Sequence, residues 1–277
     1  MNIRVLNVPY DSGQYKARMG RGPDRLFESG LKPLLTRLGH HYIDEEITAP
    51  DSHLAEIKTA FALCRTVAHR VRACQRDGDF PIVLSGNCNT AVGTVSGCGC
   101  ENTGVVWFDA HGESTTPDTT TSGFLDGMGI SILTGQCWAR LARTIPGFDP
   151  VPGKHILLVG ARDLEPDEIR LLDRTGVSRV SDPEHLGSHL ASLAHHVDGV
   201  YLHIDLDVLD PAEAIANQWA PPGGLTIETM QKAVRTIQAH TRIKALGIAS
   251  YDPEADHNGQ ALAAASSITE FLLGAAK

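Results

Sequence analysis

The chain has 277 residues, 42% of them hydrophobic, and a formal net charge of -9. This length supports a substantial core, so we expect a single domain over residues 1–277. The negative charge argues against a nucleic-acid partner, and no run reaches the ~20 apolar residues of a membrane span. The same charge favours a small-molecule substrate. Residues 1–9 lack the basic and long apolar regions of a signal peptide, so we expect a cytoplasmic protein.

Short apolar runs alternate with amphipathic stretches along the chain. The apolar runs predict buried strands at residues 3–8, 80–84, 105–108, 155–159, 199–206 and 243–248. Helical periodicity predicts helices at 55–76, 166–174, 183–196 and 227–240. Such repeated units predict a three-layer α/β/α fold with a mainly parallel sheet, in which ligands bind at the carboxyl ends of the strands.

Side chains suited to metal binding follow two of these strands. Asp109, His111 and Glu113 come directly after the strand at 105–108, and Cys88 follows the strand at 80–84. Taken singly, each has an ordinary explanation as a helix cap, a hydrogen-bonded polar residue or a small buried residue. Because the strand ends meet at one edge of a parallel sheet, their joint presence favours a metal centre.

The strand at 199–206 leads into a further acidic group. Strand alternation predicts that Asp205 and Asp207 face one side of the sheet and Leu206 the other. Two buried carboxylates on one side need a cation or a proton to offset their repulsion. We interpret His203 and Asp210 as ordinary polar or turn residues, or as residues that support the ligands without binding metal.

Two motifs carry a family resemblance. Residues 109–113 resemble the D-A-H-x-D motif of the ureohydrolases, and residues 205–211 match their D-x-D-x-x-D-P motif. The chain is also similar to this family, which includes arginase and agmatinase, at 20–30, 160–163 and 223–226. The resemblance implies an arginase-like fold and two divalent metal ions, usually manganese, whose bridging hydroxide attacks the carbon of a guanidinium or amidine.

The resemblance also implies a ligand set. One ion would be held by Cys88, Asp109, Glu113 and Asp205, and the other by Asp109, His111, Asp205 and Asp207. Cys88 departs from the family by replacing a metal-binding histidine, and Glu113 by replacing a shorter aspartate. Since a thiolate is a softer ligand than an imidazole, zinc and iron(II) are alternatives to manganese.

The stretch at 115–123 is similar to the arginase loop that binds the α-carboxylate and α-amino groups of the substrate. By this resemblance Thr115, Thr120 and Ser122 would bind a carboxylate, and Glu165 would receive an ammonium group. An amino-acid-like substrate follows. The alternative is that the hydroxyl side chains only cap turns within their own loop.

Two further departures concern the substrate. Ser250 stands where the family has its guanidinium-binding glutamate, and Asp126 where arginase has a proton-carrying histidine. We assign the proton transfer to Asp126, and Asp252 and Glu254 are alternative carboxylates for the substrate. Because a lost ion pair weakens the binding of a cationic guanidinium, we do not expect a standard arginase.

These observations favour a metal-dependent hydrolase of a linear C–N bond in a guanidino, hydroxyguanidino, formimino or related amino-acid derivative. One alternative is a non-catalytic binding or assembly protein that keeps the arginase fold with a degenerate metal site. Another is a thiol hydrolase in which Cys88 is the nucleophile and His111 its base. The resemblance also implies a homo-oligomer, either a trimer or a hexamer.

Overall fold

The structure is a computed structural model and describes residues 1–49 and 55–274. In spatial order, the main sheet consists of β4 (His41–Glu46), β1 (Asn2–Val8), β5 (Phe80–Ser85), β10 (Ile243–Ala249), β9 (Gly199–Asp205), β6 (Thr103–Phe108), β7 (Ile156–Val159) and β8 (Ser178–Val180). All of these strands pair in parallel. A small antiparallel hairpin of β2 (Tyr10–Asp11) and β3 (Gln14–Tyr15) follows β1.

Helices lie between the strands. The α-helices are α1 (Gly22–Leu26), α2 (Lys32–Leu38), α3 (Glu56–Asp77), α4 (Ala91–Cys98), α5 (Gly129–Leu133), α6 (Ala139–Ala142), α7 (Pro166–Thr175), α8 (Leu186–Leu193), α9 (Ile227–His240) and α10 (Gln260–Gly274). A π-helical turn at Phe27–Leu31 joins α1 to α2. Single 3-10 turns follow two of the strands at the functional edge, Cys88–Thr90 after β5 and Leu206–Val208 after β9.

Strand side chains alternate between two apolar layers. In β6, Val106 and Phe108 face a core shared with α1, α2, α8, α9 and α10, whereas Val105 and Trp107 face a core shared with α3, α4 and α5. Helices therefore cover both faces of the sheet, because parallel strands are apolar on both sides. This arrangement confirms the predicted three-layer α/β/α fold.

Some elements leave no clear pattern in the sequence. The edge strand β4 is largely exposed and polar, and β8 has only three residues, so neither forms an apolar run. The alanine-rich α10 was not predicted either, since small residues give weak helical periodicity. The predicted helix at 183–196 is shorter, because Pro183–His185 forms a 3-10 turn before α8 begins. No helix within the described ranges combines the length and apolarity needed to cross a membrane.

Candidate metal centre and substrate cavity

Side chains from four neighbouring strand ends meet at the carboxyl edge of the sheet. Cys88 follows β5, Asp109 follows β6, Asp205 ends β9 and Ser250 follows β10. Their exposed fractions lie between 0% and 4%. A cavity of about 460 Å³ adjoins this cluster, a volume suited to a small organic molecule.

Asp109 is held through both of its carboxylate oxygens. The indole Nε1 of Trp107 donates to Oδ2 at 2.8 Å, and the main-chain amide of His111 donates to Oδ1 at 2.8 Å. The turn that follows is anchored by the buried Glu168, which accepts from the amide of Ser114 at 3.1 Å. Such support fixes the orientation of a carboxylate, as a metal ligand requires.

Asp205 and Asp207 reach the site in different ways. Because β9 ends at Asp205 and a 3-10 turn follows, the strand alternation predicted to orient both residues does not extend to Asp207, and that part of the prediction was wrong. The turn nevertheless brings Asp207 to the cluster, where its Oδ1 accepts from the amide of Ala110 at 3.1 Å. Arg162 supports the turn by donating to the main-chain oxygen of Asp207 at 2.9 Å.

Cys88 has polar side-chain atoms on several sides of its sulfur. Sγ lies 2.9 Å from Oδ2 of Asp205, 3.1 Å from Nε2 of His203 and 3.4 Å from Oγ of Ser250. Burial, with a smaller effect from Asp205, raises the pKa of the thiol well above its ordinary value. The sulfur is therefore a thiol in the metal-free protein and becomes a thiolate only with a cation beside it.

His111 lies between two carboxylates. Its Nδ1 is 3.3 Å from Oδ1 of Asp109 and 3.3 Å from Oδ2 of Asp207. Burial lowers the pKa of this imidazole, but the two carboxylates outweigh burial and raise it to about 12. The thiol-hydrolase alternative expects His111 at the sulfur, but the imidazole in contact with Cys88 is that of His203.

The donor atoms are close enough to share metal ions. Within each of three groups, the ligand atoms all lie within 4.8 Å of one another: Cys88, Asp109 and His203; Cys88, Glu113 and Asp126; Asp109, His111 and Asp207. Oε2 of Glu113 is buried and has no hydrogen-bond partner among the described residues. An orphaned carboxylate oxygen beside a thiol, an imidazole and further carboxylates fits a divalent cation.

The acidic side chains of the cluster repel one another. Burial and nearby carboxylates raise the pKa values of Glu113 and Asp205 well above their ordinary range. Protons therefore offset part of the negative charge in the metal-free protein. Metal binding would displace these protons, since the ligands must be deprotonated.

Asp126 lies beside the cysteine turn. Its Oδ1 accepts from the amide of Asn89 at 2.8 Å, and its Oδ2 accepts from the side-chain amide of Asn87 at 2.9 Å. Burial raises the pKa of Asp126 to about 8, although both hydrogen bonds act in the opposite direction. The structure thus brings Asp126 to the cluster, and its role in proton transfer stays a prediction.

Two residues of the cluster have unusual backbone conformations. Glu113 has φ 50° and Ser250 has φ 60°, in the left-handed region that residues other than glycine rarely adopt. Asn217 supports the second of them by donating to the main-chain oxygen of Ser250 at 2.8 Å, and it also lies 3.4 Å from Oδ2 of Asp207. Both strained positions are ones at which the sequence departs from the motif residues.

The four side chains predicted to bind the α-carboxylate and α-amino groups of a substrate separate into two pairs. Thr115 and Ser122 line the cavity, whereas Thr120 and Glu165 lie outside its lining. Thr120 accepts from a main-chain amide of its own loop at 3.0 Å. Glu165 is exposed, caps α7 and accepts from Thr121 at 3.1 Å. Ser122 likewise accepts from the main-chain amide of Phe124 at 3.2 Å, and Thr115 donates to the main-chain oxygen of Gly127 at 2.7 Å. The capping alternative therefore describes Thr120 and stays open for Ser122 and Thr115, and substrate binding stays a prediction for all four side chains.

The sequence did not decide which charged side chains lie in the cavity lining. Asp252 lines the cavity, whereas the exposed Glu254 pairs with Arg21 at 2.7 Å. Arg18 also lines the cavity and pairs with the buried Asp11 at 2.8 Å. Of the two alternative carboxylates, Asp252 is the one positioned to meet a ligand.

Sequence reasoning missed several supporting residues. The signal for His203 was available, because strand alternation places it on the same face as Asp205. Trp107 likewise shares a face with Asp109. Asn217 lies in a loop and Arg18 in a short 3-10 turn, neither of which has regular periodicity, so only the folded chain shows that they belong to this site.

Known proteins resemble this chain over almost its whole length. A sequence model described as "Arginase family" matches residues 1–274. The arginase of Bacillus caldovelox is 28% identical over 299 residues, covering 98% of this chain and 98% of that protein. The arginase of Brevibacillus brevis is 31% identical over 238 residues, covering 77% of this chain and 78% of that protein. The native structure of the Bacillus caldovelox arginase matches with a TM-score of 0.89 at 26% identity, covering 99% of this chain and 98% of that one.

Proposed function

Since the chain belongs to the arginase family, we propose that it is a metal-dependent hydrolase of a linear C–N bond in an amino-acid derivative. The observation that carries the proposal is the convergence of six ligand-type side chains beside one cavity: Cys88, Asp109, His111, Glu113, Asp205 and Asp207. Divalent ions held there would supply a nucleophilic water at neutral pH. Manganese is the expected metal by family, with zinc and iron(II) as alternatives because of the thiol.

The remaining tasks fall to other residues of the cavity. Asp126 would pass a proton to the leaving amine, because it lies beside the ligand cluster and lines the cavity. Thr115 and Ser122 would bind the carboxylate of the substrate, since both line the cavity and neither is a proposed metal ligand. Asp252 would receive a cationic or hydrogen-bonding group, and we give it this role in place of Glu165 and Glu254.

Ser250 bears on the choice of substrate. A buried serine at this position supplies no charge to pair with a guanidinium, and losing such a partner costs about 2 kcal/mol or more of binding. A less basic reacting group, as in a hydroxyguanidine or a formimino compound, loses less. We therefore propose that the chain is not a standard arginase. By resemblance to the family we also propose a single domain that assembles into a trimer or hexamer, which light scattering would test.

The test combines metal analysis with a substrate panel. The protein is reconstituted with manganese, iron(II) or zinc, and the ions per chain are counted by elemental analysis. Turnover is then measured with arginine, hydroxyarginine, guanidinobutyrate and formiminoglutamate. Arginine and hydroxyarginine differ in the basicity of the reacting group, and guanidinobutyrate lacks the α-amino group. We expect two ions per chain and faster turnover of hydroxyarginine or formiminoglutamate than of arginine.

Opposite results have a clear meaning. Substoichiometric metal with every ion and no turnover would contradict the proposal and favour the non-catalytic binding or assembly protein. Turnover of arginine above all other compounds would keep the hydrolase and contradict the role given to Ser250.

A further inference from the structure

His203 is buried against the sulfur of Cys88 and has a partner on each ring nitrogen. Its Nε2 lies 3.1 Å from Sγ of Cys88, and its Nδ1 lies 2.8 Å from the hydroxyl of Tyr201. Both His203 and Tyr201 are 1% exposed, so water does not compete for these contacts. The three side chains form one hydrogen-bonded row that ends at the candidate ligand Cys88.

We propose that His203 is a positioning residue that donates an N–H hydrogen bond to the metal-bound thiolate of Cys88. This inference rests on the proposed function, in which Cys88 is a ligand. A thiolate bound to a metal has no proton, so it can only accept, and Nε2 must carry the hydrogen. Nδ1 then has a lone pair, which accepts a hydrogen bond from the hydroxyl of Tyr201.

Aromatic packing and a glycine on the next strand accompany the row. The indole of Trp107 lies against the imidazole with ring centroids 4.0 Å apart, and Trp107 also donates to the neighbouring ligand Asp109. On the adjacent strand, a Cβ added at Gly247 would lie 1.9 Å from the hydroxyl of Tyr201. Glycine at this position therefore makes room for the hydroxyl that fixes the tautomer of His203.

The charge of the ligand set explains why such a donor is needed. The cysteine and the four carboxylates would carry five negative charges when ionised, against four positive charges on two divalent ions. A neutral N–H donor stabilises the thiolate without adding a ligand, and charge-assisted hydrogen bonds of this kind are stronger than neutral ones. Residues that support a ligand in this way typically change metal affinity ~10–100-fold when removed.

Cobalt(II) reports on the sulfur directly, because a thiolate–cobalt bond gives a charge-transfer absorption in the near ultraviolet. A hydrogen bond to the sulfur lowers the energy of its lone pairs and moves this band to shorter wavelength. In His203→Phe we expect the band to move to longer wavelength and the affinity for cobalt to fall ~10–100-fold, with two ions still bound at saturation. Tyr201→Phe should move the band in the same direction by a smaller amount.

Two further variants serve as controls. His203→Gln keeps an amide donor in the same place and should restore the band toward its original position. His155→Phe replaces another buried histidine, which stacks on His196 and lies outside the cluster, and should leave the band unchanged. Because Tyr201→Phe removes only one hydroxyl, it provides the test if His203→Phe fails to fold.

Each contrary outcome is distinct. An unchanged band in both His203→Phe and Tyr201→Phe would overturn the proposal and leave His203 with a packing role. Loss of one cobalt ion per chain in His203→Phe would also overturn it, because His203 would then be a ligand. Absence of the charge-transfer band from the unaltered protein would overturn the assignment of Cys88 as a ligand, which belongs to the proposed function.

Discussion

The sulfur of Cys88 lies 2.9 Å from Oδ2 of Asp205, although 117 positions separate the two residues in the chain. Ala249 of β10 pairs with Asp205 on one side and with Ser85 on the other. The strands that carry the two donors, β5 and β9, are therefore separated only by β10. A thiolate and a carboxylate at this distance repel each other unless a proton or a cation lies between them. In the proposed function, a metal ion at this pair replaces the thiol proton of Cys88.

Cys88→Ser tests this pair. Serine keeps the approximate size of the side chain, but its hydroxyl is a much poorer ligand for soft metals than a thiolate. We expect the zinc content at saturation to fall by one ion per chain, as measured by elemental analysis. Cys74→Ser replaces a buried thiol on α3 outside the cavity lining and should keep the full metal content. Equal zinc content in the two variants would contradict the assignment.

Glu113→Gln should change stability and metal affinity in opposite directions. The substitution removes a buried carboxylate whose Oε2 has no partner among the described residues. We expect the free energy of unfolding of the metal-free protein to rise by ~1–3 kcal/mol, while the affinity for metal falls. Urea denaturation with chelator and with manganese measures both effects. Glu101→Gln, at an exposed position, should change neither. A less stable metal-free variant would show that the buried carboxylate of Glu113 does not destabilise the folded protein.

The pH dependence of stability should differ between the metal-free and metal-bound protein. Burial raises the pKa of Asp126 to about 8, against ~4 in the unfolded chain. Between these values the folded metal-free protein holds the proton more tightly, so its stability falls as pH rises. The raised pKa values of Glu113 and Asp205 act in the same direction.

Because metal binding displaces protons, the increase in Tm on adding manganese should be larger at about pH 8 than at about pH 5.5. Thermal unfolding with chelator and with manganese at both pH values checks this. A metal-free protein that is more stable at the higher pH would contradict the prediction.

Arg162→Lys should weaken metal binding without changing any of the proposed ligand side chains. Arg162 donates to the main-chain oxygens of Asp207 at 2.9 Å, Val208 at 3.3 Å and Pro221 at 2.7 Å. Lysine keeps the positive charge but lacks the planar group that reaches several oxygens at once. We expect metal affinity to fall ~10-fold or more, as titration calorimetry would measure. Arg179→Lys, in a surface pair with Asp173, is the matched control and should bind metal normally.

Ser122→Ala tests recognition of the substrate carboxylate. Ser122 lines the cavity and is not a proposed metal ligand, so loss of its hydroxyl should raise KM ~10-fold for the preferred substrate and leave kcat unchanged. Thr120→Val separates binding from capping, because Thr120 lies outside the cavity lining. If Thr120 only caps its loop, KM stays unchanged in that variant. An unchanged KM in Ser122→Ala would assign Ser122 to capping as well.

The sequence alone determined the parallel three-layer fold and the strand ends at which the side chains predicted to bind metal lie. Both rest on local patterns: buried parallel strands are apolar throughout, so a polar cluster such as Asp109 and His111 directly after a strand stands out. Resemblance then gave these residues a ligand assignment, which the metal analysis above will test. The edge strand β4 was not predicted, because an exposed strand lacks that apolar run.

Only the tertiary structure decided which side chains touch. His203 lies at the sulfur of Cys88, Asp207 arrives through a 3-10 turn, and Glu165 caps a helix outside the cavity. Periodicity along a strand or helix fixes which face a residue occupies, but it carries no information about which loops lie above that face. Contacts between residues far apart in the chain follow from how strands and loops pack together, and this is where the supporting residues of the site were found.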